Sequence, residues 1–308
     1  MNKPGTWISF VIIHVIFMGV WGALIELPEK NGFPATLGYI VWALTMIPAT
    51  IVALTINKWK LDYDKHSVFY GCLSGLLGAA GQLVLFYTLK MAPAYLVFPI
   101  LSLTPVVTIL LAVLFLKEST GVMGWAGIGI AILAIFLLSY VPPDTASASG
   151  YLWIILTIIP LLAWGAQGFV MRFANDKMKA ESIFFYMTIS SLALIPVALW
   201  MTDFSKPINY GLKGPYLAAG IQILNSFGAL CLVYAFRYGK AIIIAPMTTA
   251  LSPVLTVIIS LIIYAVVPHI ITVAGIALAI LSALLMGNAE SKMEKKTDIK
   301  APESALIK

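Results

Sequence analysis

Apolar residues fall in ten long runs along this chain. Each is close to the ~20 residues an α-helix needs to cross roughly 30 Å of hydrocarbon. The runs read as helices because a backbone in lipid must satisfy its polar groups within the segment. They lie at Thr6–Leu27, Pro34–Ile56, Ser67–Leu89, Ala94–Leu116, Gly121–Val141, Tyr151–Met171, Ala180–Met201, Pro215–Phe236, Ala241–Ile263 and His269–Gly287. The separators are short and carry prolines, glycines or charges, as at Pro28 to Gly32, Lys58 to Lys65, Lys117 to Thr120 and Asn175 to Lys179. The first run follows one lysine and has no small-residue cleavage site, so it reads as a retained span and not a signal peptide. Residues 289–308 are charged and contain proline, and read as an unstructured tail.

Composition narrows the class. Of 308 residues 61% are hydrophobic and 10% charged, with mean hydropathy +0.98. Soluble domains carry about 25% charged residues, so a soluble enzyme, a nucleic-acid binder and a disordered chain are excluded. Of the 19 basic residues, 15 lie in the N-terminus, the even-numbered separators and the tail, and 4 in the odd-numbered separators. This split predicts a multi-pass protein of the inner (cytoplasmic) membrane with both termini in the cytoplasm. The net charge of +6 is thereby a topology signal, not a mark of a nucleic-acid partner. Cys72 and Cys231 sit within apolar runs, and His14, His66 and His269 are scattered, so neither a metal site nor a cofactor is expected.

An internal repeat is present. Pro105-Val-Val-Thr-Ile-Leu-Leu-Ala and Gly127-Ile-Gly-Ile-Ala-Ile-Leu-Ala match Pro253-Val-Leu-Thr-Val-Ile-Ile-Ser and Gly275-Ile-Ala-Leu-Ala-Ile-Leu-Ser at a constant offset of 148. Upstream, Tyr87, Lys90, Ala94 and Pro99 face Tyr234, Arg237, Ala241 and Pro246 at 147, and Trp21-Gly22-Ala23 faces Trp164-Gly165-Ala166. Five spans per half is an odd number, so the second half must be inverted in the membrane. Inverted repeats with a midplane site between them are a common plan of secondary transporters. The expected fold is an all-α polytopic membrane protein: ten transmembrane helices as two inverted five-helix repeats, 1–143 and 144–288, followed by the tail.

Each half resembles the EamA-type repeat of the drug/metabolite transporter superfamily. The resemblance rests on Trp21-Gly22, Tyr87 to Lys90, Pro105, Leu116-Lys117-Glu118 and Gly127, and on Trp164-Gly165, Tyr234 to Arg237, Pro253 and Gly275. It implies alternating access around a cavity walled mainly by the first, third, fourth, sixth, eighth and ninth helices. Two departures stand out. The position matching Glu118 is Val266, and Gly38, Tyr39 and Trp42 lie where many members carry an arginine.

Polar side chains within spans are costly and mark pathways or interhelical contacts. The candidates for substrate binding are His14, Trp21, Gln82, Trp164, Gln167, Gln222 and Asn225. His14 and Trp21 are seven residues apart on one helix face, and Gln222 and Asn225 share a face at i, i+3. For each amide, interhelical hydrogen bonding is the alternative. Trp21 and Trp164 are read as repeat mates, whereas Trp7, Trp42, Trp59 and Trp153 read as interfacial. Gly71, Gly75 and Gly78 make a small-residue stripe, for close helix approach or for room beside Gln82.

Coupling candidates are His14, which can titrate near neutrality, and Glu26, which would need desolvation to act; otherwise Glu26 is a solvated interfacial carboxylate. Pro99, Pro105, Pro246 and Pro253 read as hinges that free backbone carbonyls, and Glu118 as a brace of the cytoplasmic turn with Lys117. The expectation is an exporter of a small organic metabolite or drug, not an enzyme, in contact with the lipid bilayer and as monomer or homodimer. A channel or a membrane-embedded enzyme is the alternative, although no catalytic motif occurs in the chain.

Overall fold

The structure, a computed structural model, describes residues 5–89, 91, 97, 100–101, 103–138, 152–264 and 269–304. Among the described residues all regular structure is helical. In chain order come α1 (Thr6–Leu24), α2 (Glu26–Lys30), α3 (Ala35–Ile56), α4 (Lys65–Leu89), α5 (Thr104–Phe115), α6 (Val122–Leu138) and α7 (Leu152–Asn175). Then follow α8 (Ala180–Ala193), α9 (Ile195–Met201), a π-helical turn (Leu212–Tyr216), α10 (Leu217–Tyr238), α11 (Ala241–Tyr264) and α12 (Ile270–Ser304). Seven helical stretches are long and apolar enough to cross a membrane, and shorter apolar helices lie at Thr104–Phe115, Val122–Leu138 and Ala241–Thr256.

The differences from the expected runs trace mostly to proline. The first run divides at Ile25 because Pro28 offers no N–H to the Leu24 carbonyl. The seventh divides at Leu194, and Pro196 opens α9. Pro105 is not a mid-helix hinge: it lies in the first turn of α5, where a missing N–H costs nothing. Its counterpart Pro253, with Pro246, does lie inside the continuous α11. Pro99 lies outside the described residues. The charged segment after residue 288 also differs from the unstructured tail expected, since α12 continues through it to Ser304. Extending a formed helix costs far less than nucleating one, and Glu, Lys, Met and Ala propagate it well.

Packing follows the repeat. The pairs α1–α10, α1–α11 and α3–α10 have their exchange partners in α7–α4, α7–α5 and α8–α4, while α6–α12 maps onto itself. Glycine makes the central crossings close. A Cβ on Gly71 would lie 2.5 Å from Tyr186, and one on Gly75 would lie 2.7 Å from the Met187 backbone. The α4 stripe therefore serves close approach by α7 and α8. Hydroxyls bind the crossings further: Thr50 to Thr188 at 2.6 Å, Thr45 to Ser226 at 2.9 Å, and Tyr39 O–H donating to the Ser191 carbonyl at 2.9 Å.

These contacts also correct the repeat register of the first helix in each half. Thr256 Oγ donates to the Gly19 carbonyl at 3.1 Å, and Thr108 Oγ donates to the Gly165 carbonyl at 2.9 Å. The threonines are 148 apart but the glycines 146. Gly228 meets Met18 as Gly81 meets Trp164. Trp21 thus takes the place of Gln167, and Trp164 that of Met18, so the two tryptophans are not structural mates. A slip of three residues is nearly one turn and leaves a side chain on almost the same face, so the two Trp-Gly dipeptides are alike in sequence without sharing a register.

Replacing Gly75 by Ala drives a methyl into the α8 backbone and should destabilise the fold by about 1–3 kcal/mol. Gly220, with no atom within 4 Å of its Cβ position, is the control. Thermal unfolding in detergent should show a lower midpoint for Gly75→Ala and none for Gly220→Ala.

Candidate substrate cavity

A cavity of about 960 Å³ lies between the two halves. It is walled by α1, α4, α5, α7, α10 and α11, and additionally by α3 through Gly38, Tyr39, Trp42 and Met46. Its mouth is at the α1–α3 connection, where Glu26, Glu29 and Lys30 are exposed. Its floor is Met171, Met187 and Phe236, all buried. Among the described residues, the charged ones in its lining are those three at the mouth. The deeper wall consists of aromatic rings, methionines, hydroxyls and amides.

His14, Trp21, Gln82, Trp164, Gln167, Gln222 and Asn225 all line this cavity. The imidazole of His14 is buried and donates from Nδ1 to the Gly228 carbonyl at 2.8 Å. A carbonyl only accepts, so neutral His14 carries its proton on Nδ1 and keeps Nε2 as an acceptor. The indole N–H of Trp21 donates to Gln222 Oε1 at 3.0 Å, that of Trp42 to Asn225 Oδ1 at 2.9 Å, and that of Trp164 to the Gly78 carbonyl at 3.1 Å. The two amides on α10 thus make interhelical bonds with their oxygens and still face the cavity. The Gln167 amide lies over Gly78, where a Cβ would displace it.

Other expectations change. Glu26 is exposed and pairs with Lys30 at 2.7 Å, so it has the solvated interfacial setting and not the desolvation coupling demands. Trp7 is buried and packs against Gly239 instead of facing an interface, and Trp42 is a cavity wall. Pro105 and Pro253 line the cavity while Pro246 is buried outside it. Sequence reasoning did not find Tyr39, Trp42, Thr249 or Ser252 as lining residues. The available signal was the aromatic pair at i, i+3 in α3, in the stretch where the arginine is absent.

Below the floor Glu118 holds three elements together, though not through Lys117. Lys117 adopts a left-handed conformation (φ 54°) that turns the chain, and the Glu118 N–H returns to the Ala112 carbonyl at 3.2 Å. The Glu118 carboxylate then accepts from Arg172 Nε at 2.9 Å and from the Ile242 N–H, at the start of α11, at 3.2 Å. Helix N-termini offer unpaired N–H groups to anions. Burial pushes the Glu118 pKa above the ordinary carboxylate value, outweighing the Ile242 N–H and the Arg172 guanidinium. At the 146 offset Arg172 corresponds to Glu26, and Glu118 corresponds to Val266, outside the described residues. The repeat therefore provides no matching Glu–Arg pair at the mouth.

The profile of the EamA-like transporter family matches residues 5–140 and 151–288. An uncharacterised protein of Methanocaldococcus jannaschii is 35% identical over 101 residues, 32% of this chain and 74% of that protein. A probable magnesium transporter of Candida albicans is 25% identical over 183 residues, 59% of this chain and 41% of the fungal protein. A crystal structure aligns with a TM-score of 0.74 at 15% identity, covering 90% of this chain and 98% of its own.

Removing one partner of a buried pair leaves a desolvated charge, so Arg172→Ala should cost about 3 kcal/mol of stability. With its folded pKa raised, Glu118 contributes stability that is full at acid pH and is lost as pH rises through that raised value. Thermal midpoints from about pH 4 to about pH 7 should therefore fall more steeply for the wild type than for Glu118→Gln.

Proposed function

This chain belongs to the EamA-like transporter family, and from that membership we propose that it is a secondary transporter exporting a small organic molecule by alternating access. The observation that carries the reading is the cavity between exchange-related halves, with a charged mouth at one end and the Glu118–Arg172–α11 junction beyond the other. An inverted arrangement of the halves is supported by the exchange of helix pairs and by an odd number of spans per half. The distribution of basic residues supports an inner-membrane protein with cytoplasmic termini, its open mouth facing outward. Rocking of the halves would expose His14, Trp21, Gln82, Trp164, Gln167, Gln222 and Asn225 to each side in turn. His14, buried beside the ligand space, is the better candidate for proton coupling than Glu26.

The similarity to a probable magnesium transporter of Candida albicans raises magnesium as cargo. Magnesium requires near-octahedral oxygen coordination, and the cavity's carboxylates, Glu26 and Glu29, stand at its mouth. An organic ligand suits the aromatic and amide walls better.

Counterflow in proteoliposomes, screened over amino acids, sugars, nucleosides, cationic dyes and Mg²⁺, should give saturable exchange of an organic solute. Conductance without saturation would identify a channel instead. Gln82→Ala and Asn225→Ala, each removing about one ligand hydrogen bond, should lower transport roughly tenfold with normal folding. Unchanged kinetics would remove both from the site. Flux that survives collapse of the pH gradient would eliminate proton antiport.

A further inference from the structure

We infer that Trp21 and Trp42 are positioning residues that hold the Gln222 and Asn225 amides with their NH₂ groups toward the cavity. The transporter reading supplies the ligand; the inference gives its chemistry: an uncharged or zwitterionic molecule bearing a hydrogen-bond-accepting oxygen.

The argument starts from the indole. Its N–H donates and never accepts. An amide facing it must turn its oxygen inward, and the distances of 3.0 Å for Trp21–Gln222 and 2.9 Å for Trp42–Asn225 meet that requirement. A flipped amide would set N–H against N–H. The two contacts come from different helices, α1 and α3, onto one face of α10, so both amides are locked in the same sense. Among the described residues no protein acceptor takes either NH₂ group, and both side chains line the cavity. One turn beyond Asn225 on the same stripe, the Gly228 carbonyl holds His14 Nδ1 and leaves Nε2 as an acceptor. The stripe thus offers a ligand paired amide donors and then an imidazole acceptor.

Charge narrows the ligand further. Among the described residues the lining has no cation deeper than Lys30, and two carboxylates, Glu26 and Glu29, stand at the mouth. A bare anion would be desolvated without a counter-charge. A carbonyl, or a carboxylate balanced by the ligand's own ammonium, avoids that cost. Gly38 lines the cavity and has open space where a Cβ would project, which is room for a cation that the described lining does not supply.

The test is binding to the purified full chain in detergent, by thermal shift and calorimetry, with phenylalanine, phenethylamine and hydrocinnamate as probes. Wild type should bind phenylalanine at least about tenfold more tightly than phenethylamine, which lacks the accepting oxygen, or hydrocinnamate, which lacks the ammonium. Trp21→Phe and Trp42→Phe keep the ring and lose the N–H, so the phenylalanine-to-phenethylamine ratio should fall toward one. Gln222→Glu and Asn225→Asp, which replace donors by acceptors, should reverse it. Gly38→Arg should raise hydrocinnamate affinity, and Trp153→Phe, outside the cavity lining, should change nothing. A ratio unchanged in a folded Trp42→Phe overturns the positioning role. Equal binding of phenylalanine and phenethylamine by wild type, or binding of none of the probes, overturns the ligand class. Selective binding without counterflow would refute the transporter reading and leave this one standing.

Discussion

The close crossing of α4 with α7 and α8 is the contact on which the rest of the molecule depends. Hydrocarbon gives helices no hydrophobic reason to associate, so they are held by surface fit and by the few hydrogen bonds they exchange. Gly71, Gly75, Gly78 and Gly81 let backbones approach until Tyr186, Met187, Gln167 and Trp164 lie where side chains of α4 would otherwise be. The exchange-related crossing of α1 with α10 uses Gly228 against Met18 and Phe17 in the same way. Because the tight contacts join one half to the other, the two repeats form a shared structure with its space between them.

That space has a polarity of its own. The indole N–H groups of Trp21, Trp42 and Trp164 and the hydroxyls of Thr108 and Thr256 are spent on neighbouring helices, and the Thr248 hydroxyl on its own helix. The tryptophans consequently present hydrocarbon and π faces inward, and directional chemistry is left to amide groups, His14 and the hydroxyls of Thr249 and Ser252. Among the described residues, the wall beyond the mouth is thus polar and directional without being charged. Asymmetry between the ends comes from one carboxylate. Glu118 ties Arg172 of α7 to the first turn of α11, whereas in the sequence repeat Arg172 is matched by Glu26 and Glu118 by the uncharged Val266. The two ends of the cavity therefore differ in chemistry.

Much of the plan was legible along the chain. The apolar runs locate the helices, and the seven proposed ligand-facing residues do line one cavity, because a polar side chain in lipid has few places to go other than the protein interior. The failures have a common origin. The statistical habit of tryptophan puts Trp42 and Trp7 at interfaces, and tertiary packing overrides it. Glu118 was assigned to Lys117, its sequence neighbour, because Arg172 is 54 residues away. Trp21 and Trp164 were matched by identity, although a one-turn slip keeps the same face and only contacts with α11 and α5 fix the register.

Sequence alone determined the membrane class, the two-fold repeat and the identity of the polar groups available to a site. These depend on residue type and spacing, and both are one-dimensional properties. Tertiary structure alone decided which helix faces meet, which amide oxygens are already spent, and which carboxylate is buried. Those outcomes depend on distances between residues far apart in the chain, and a hydrogen bond of 2.9 Å or a 2.7 Å backbone approach leaves no trace in local pattern.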